Sequence, residues 1–135
     1  MKIVTHDGMF HADDVLAAAI LSLALPLSSY EEITRSKDES IWADADILFD
    51  AGGAYNPEEG RYDTNRSKSP LRKNKIPRSS ASLLWYTYQE KAIRNVLTSL
   101  GYEDTEFYQT YFEDIWQYMG GHIDTNLLLP VDVID

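Results

Sequence analysis

A chain of 135 residues with 44% apolar side chains is the size of one domain with one core, so residues 1–135 are expected to form a single unit. Its formal net charge of −10 makes the general surface repellent to nucleic acid and to anionic membrane, so a polyanion would need a local basic site. There are no cysteines, which excludes disulfides, thiolate zinc sites and cysteine nucleophiles and leaves His and carboxylates as the strong metal ligands.

Lys2 to Thr5 suits a short strand, and His6-Asp7-Gly8-Met9-Phe10-His11 is a polar connection containing glycine. Ala12 to Leu25 is rich in helix formers, with Asp13 and Asp14 in the first turn facing the positive end of the macrodipole, and Pro26 stops it. The run from Val15 to Leu27 has the apolar character of a signal peptide, but the acids ahead of it occupy the place of a basic n-region, so it reads as a buried helix. No stretch approaches the roughly 20 apolar residues of a membrane span. A cytoplasmic protein with no membrane partner is expected.

Tyr30 to Arg35 reads as a second strand, Ser40 to Ala45 as a short helical turn, and Asp46 to Asp50 as a buried strand ending at Ala51-Gly52-Gly53. Strand, loop, helix and strand in this order predict an α/β fold, an open and mostly parallel sheet flanked by helices. Tyr55 to Gly60 reads as a turn into Arg61-Tyr62-Asp63. Arg61 to Arg78 then holds seven of the twelve basic residues against one acid, Asp63, and is expected to be a mobile basic loop. Ser79-Ser80 can cap a helix through about Leu100, burying Leu83, Leu84, Tyr88, Ala92, Val96 and Leu100. A second helix is predicted from Thr105 to Met119, closed by Gly120-Gly121, with an aromatic face of Phe107, Tyr108, Tyr111, Phe112, Ile115 and Trp116. The tail from Leu127 is apolar but broken by Pro130.

Chemistry concentrates at the start. His6, His11 and Asp13, spaced H-x(4)-H-x-D across a strand end and a helix entrance, can converge on one cation. The alternative is that His11 caps the helix and Asp13 complements its dipole. Asp50, ending an apolar strand before two glycines, must be solvated, paired or bound to metal, and ordinary turn punctuation is its competing explanation. Arg61 and the basic loop after it suit phosphate oxygens, against the alternative of a solvated loop. His122 and Asp124 are a rival source of ligands, and the terminal Asp132 and Asp135 carry no signal alone.

The segment from Thr5 to Asp14 resembles the opening motif of the melanocyte-proliferating-gene family of exonucleases, a branch of the DHH phosphoesterase superfamily. Further similarities follow in order: Arg35 to Asp38, Asp50 to Tyr55, Arg61-Tyr62-Asp63, Ser79-Ser80-Ala81, and Pro130 to Asp135 as a fourth acidic motif. The resemblance implies a DHH-like N-terminal domain with a manganese or magnesium site, His6 and His11 on one ion, Asp13 on the other, Asp50 bridging, and Asp132 or Asp135 adding a carboxylate. It also implies roles in the reaction for Asp13, Asp50 and Asp63. Two ions about 4 Å apart activate water for attack on phosphorus.

Two departures bear on activity. Asp63-Thr64-Asn65 stands where the family has Asp-His-His, so one ion is expected and a second binds weakly if it binds at all. A C-terminal substrate domain of the family is not expected within these 135 residues. The expected function is a metal-dependent phosphoesterase, of reduced activity, acting on a nucleotide or short single-stranded oligonucleotide held by Arg61, Asn65 and Arg66. The alternative is an inactive metal- or phosphate-binding relative serving as a sensor, inhibitor or subunit. A separate subunit carrying the substrate domain, or a homo-oligomer formed through Tyr102, Tyr111 and Tyr118, would be its protein partner.

Overall fold

Three short strands build the parallel part of the sheet: the buried β1 (Ile3–Thr5) and β3 (Ile47–Phe49), and the more exposed β2 (Ile33–Arg35) at its edge. β1 and β3 are buried throughout, as strands covered on both faces must be. The structure is a computed structural model that describes residues 1–135, the side chain of Arg66 excepted. β4 (Tyr55–Asn56) and β5 (Arg61–Tyr62) complete five strands in the order β2-β1-β3-β5-β4, parallel except for the β4–β5 hairpin. This is the open, mostly parallel α/β sheet that the sequence predicts. Gly60 makes the hairpin possible: its φ is +68°, and a Cβ there would lie 1.9 Å from the Asp46 carbonyl oxygen.

α1 (Ala12–Ala24) buries Ala17, Ile20, Leu21 and Ala24, spaced by three and four residues, against α3 (Ser80–Ser99). Each fully buried Leu or Ile contributes about 1.5–3 kcal/mol. Asn95 on α3 donates to the Leu23 and Ala24 carbonyls at 2.9 and 3.1 Å, closing the end of α1. Ser79 caps α3, its Oγ accepting the Ser82 amide at 3.3 Å, and α2 (Glu39–Ala43) is capped by Asp38.

α4 (Glu106–Ile123) does not stop at Gly120-Gly121. It continues through a π-helical turn (Asp124–Leu128) into α5 (Leu129–Ile134), with Pro130 in the first turn of α5, where no amide is needed. Gly120 is instead a contact point: its carbonyl accepts the Trp85 indole at 3.0 Å, and a Cβ would meet the Gln89 side chain at 2.2 Å. The expected aromatic face divides: Tyr108 and Phe112 are buried, whereas Phe107 and Tyr111 are exposed.

The basic segment is anchored rather than loose. Arg72 is buried and grips Asp124 with both Nη atoms, at 2.6 and 2.7 Å, while its Nε bonds Asp132 at 2.5 Å and its Nη2 bonds Ser82 at 3.0 Å. Removing this cation should cost about 3–5 kcal/mol. In urea denaturation Arg72→Met is expected to lose that amount, and Arg78→Gln, whose Nη1 reaches the same Asp124 at a looser 3.3 Å, about 1 kcal/mol. Equal losses would show that Arg72 is not the anchor.

Candidate metal centre

The strand order decides which side chains can meet. β1 has β2 on one side and β3 on the other, so the chain reverses its winding between β1 and β3 and opens a crevice at their C-terminal ends. His6 follows β1 and Asp50 follows β3. His6 Nε2 lies 2.8 Å from Asp14 Oδ1 and 3.3 Å from Asp50 Oδ2, and the ligand atoms of these three residues all fall within 4.8 Å of one another.

Asp14 comes from the first turn of α1, and its Oδ2 accepts the His11 amide at 2.8 Å. Its Oδ1 is buried and receives no hydrogen bond of normal geometry, despite the imidazole beside it. A buried carboxylate oxygen without a well-aligned donor is costly, and a cation satisfies it. One imidazole nitrogen and two carboxylates are also the donor types that divalent manganese accepts. The residues therefore fit a divalent ion.

Two features tune the centre. Gly8 N–H donates to His6 Nδ1 at 2.9 Å, which places the proton of the neutral ring on Nε2, toward the carboxylates. Ligation through Nε2 requires that proton on Nδ1 and the Gly8 contact broken. Asp50 is pushed up to about 8 by burial, then by its side-chain hydrogen bond with Asp14 and by the like charge of Asp13, Asp14 and Asp63, and Asp13 is pushed up to about 6, again chiefly by burial. Ser80 Oγ reaches Asp50 Oδ1 at 3.5 Å.

The other expected site residues have definite places. Asp13 is buried, and its two oxygens accept the Ala81 and Ser80 amides at 2.6 and 3.1 Å. His11 is the N-cap residue of α1 and largely exposed, its Nδ1 3.8 Å from Asp14. With Asp13 and Asp135 it borders a second cleft of about 370 Å³. Asp63 is fixed by the Gly53 and Thr64 amides, both at 2.7 Å, close enough for its charge to act on Asp50. Asp132 is buried and accepts from Arg72 and from the Ser79 amide at 2.9 Å.

Arg61 turns to the end of α2, donating to the Ala45 and Glu59 carbonyls at 2.8 and 2.9 Å. Asn65 is exposed and accepts from Ser67 Oγ at 3.1 Å, while the side chain of Arg66 lies outside the described residues. His122 stacks on Tyr118, and Asp124 is held by Arg72, so neither approaches His6. Of the expected metal ligands, the structure joins His6 and Asp50 and adds Asp14, which the sequence reading treats only as a helix-dipole partner. Both Asp13 and Asp14 are buried, and the missing signal was which of them faces the crevice.

Raised carboxyl pKa values mean that the fold holds these protons more tightly than the unfolded chain does. The corresponding stability is present below about pH 4 and is lost as pH climbs through about 6 for Asp13 and about 8 for Asp50. The cation-free protein should therefore melt at a lower temperature at about pH 9 than at about pH 5, and manganese should raise the melting temperature most at the higher pH. A melting temperature that rises steadily with pH in chelator would contradict this.

The MYG1 exonuclease family model, described as an uncharacterised protein family, matches residues 2–135. MYG1 exonuclease of Mus musculus is 32% identical over 142 residues, covering 99% of this chain and 34% of that protein, and the Homo sapiens protein is 33% identical over 99% and 35%. The MYG1 protein of Dictyostelium discoideum is 32% identical, covering 90% of this chain and 37% of its own length. The chain thus spans about a third of the length of the curated relatives it matches. No solved structure matches it significantly. A family match that begins at the second residue and takes in every element around the crevice leaves one assignment: the chain belongs to the MYG1 exonuclease family.

Proposed function

We propose that this chain is a divalent-metal-dependent phosphoesterase acting on a nucleotide or a short single-stranded oligonucleotide. The observation that carries the reading is the convergence of His6, Asp14 and Asp50 at the strand-order reversal, with a buried Asp14 oxygen left for a cation. Relatives named as exonucleases support it. Manganese or magnesium is the ion of choice, one per chain.

A bound ion supplies a water of lowered pKa and positive charge beside the phosphate. The chain's own contribution is placement. His6 and the two carboxyl groups would hold the ion, the Ser80 hydroxyl lies 3.5 Å from Asp50, and Asp63, pinned by two amides, stands beside it. The Gly52-Gly53 backbone beside Asp63 lets a phosphate approach closely. Arg72 is committed to Asp124 and Asp132, so it is not available to neutralise the phosphate.

One observation favours a second reading, a binding relative without turnover. Thr64 and Asn65 occupy the place of two imidazoles, and the Asn65 side chain is engaged in a local turn with Ser67. The experiment is hydrolysis of bis(p-nitrophenyl) phosphate, dinucleotides and short single strands with and without manganese. Stimulated hydrolysis should fall at least about 100-fold in Asp14→Asn and in Asp50→Asn. If no substrate is turned over while calorimetry still detects manganese and a nucleotide, the enzyme reading is lost and the binding reading stands.

A further inference from the structure

The connection between β1 and α1 exposes two apolar side chains at the lip of the candidate metal centre, Met9 at 80% and Phe10 at 46%. A lone exposed apolar residue needs no explanation. Phe10, however, is held. The Arg35 guanidinium carbon lies 4.2 Å above its ring centroid, and the His6 ring meets it in a T-shaped contact at 6.2 Å and 80°. Arg35 is itself fixed at the end of β2, its Nη2 donating to the Asp7 carbonyl at 3.1 Å and to the Gly8 carbonyl. An aromatic ring is thus backed by a cation and set against the metal-site imidazole, with nearly half of its surface in solvent.

We propose that Phe10, backed by Arg35, is a stacking platform for the nucleobase of a nucleotide whose phosphate lies at His6, Asp14 and Asp50; this rests on the phosphoesterase reading above. A base and its own phosphate are separated by one sugar, which matches the adjacency of the Phe10 ring to His6. Stacking on an aromatic side chain is strong and tolerant of base identity, because every base presents a π face. The cation on the ring adds to the attraction. A platform already fixed by Arg35 loses little side-chain freedom when a base arrives. The ligand class is a nucleoside monophosphate or the terminal nucleotide of a single strand, with little preference among bases.

The test compares AMP with ribose 5-phosphate by calorimetry on the intact chain in manganese, since the two ligands differ only in the base. AMP should bind about ten-fold more tightly. Phe10→Leu, which keeps an apolar side chain at this position, should bring that ratio to about one. Phe10→Tyr should retain it. If ribose 5-phosphate binds but AMP gains nothing, or the gain survives Phe10→Leu, the platform is overturned and the phosphate site stands. If Phe10→Leu weakens both ligands equally, the residue is structural and the platform is again overturned. If neither ligand binds the wild-type chain, the platform and the phosphoesterase reading fall together.

Discussion

Two backbone amides at the start of one helix are satisfied by a carboxylate from the start of another, and the arrangement of the molecule follows from that bond. Asp13 on α1 accepts from Ser80 and Ala81 on α3, in the interior, where free amides and a bare carboxylate would each be costly. The contact fixes how α1 is rotated on the sheet. With Asp13 turned toward α3, Asp14, one residue further round the helix, is carried to the crevice, where it meets His6 and Asp50. Neighbouring acids thus do unlike work, one joining two helices and one facing His6 and Asp50 across the crevice.

The fold was legible because its signals are local and repeated. The apolar runs at Ile3 and Ile47, the stop at Pro26 and the Ser79 cap each specify their element without reference to the rest of the chain. The C-terminal third was less so. Gly120-Gly121 and Pro130 read as breaks, yet Gly120 lies where α3 and α4 touch, its carbonyl accepting the Trp85 indole, and Pro130 sits where a helix tolerates it. Both are facts of packing and position within an element. The crevice was legible as a place, from His6 and Asp50 at strand ends, but its membership was not. Which of the two buried acids, Asp13 or Asp14, faces the crevice depends on a helix docked nearly seventy residues later in the chain.

Charge tells a similar story. Counted along the sequence, the segment from Arg61 to Arg78 is a block of positive charge in an acidic protein. In space much of it is spoken for. Arg61 closes the end of α2, and Arg72 and Arg78 meet Asp124, which brings the segment against the π-helical turn. A guanidinium taken from water requires good geometry on several acceptors, and Arg72 finds it in two carboxylates and a hydroxyl. The segment acts as a strap across the N-terminus of α3, which is the same helix end that Asp13 secures from the other direction.

Asp50 sits at φ +49°, in the left-handed region that costs most side chains about a kilocalorie or more per mole. Glycine, asparagine and aspartate are the residues that enter it readily. Among these three only aspartate brings an ionisable carboxyl group to the crevice. The backbone has therefore already narrowed the choice before chemistry selects from it, and the two remaining options are conformationally silent. Either exchange would keep the strand end, the turn and the core while removing the carboxyl group. In a lineage of such proteins the centre can fade by one substitution, with nothing in the shape of the fold to record that it was lost.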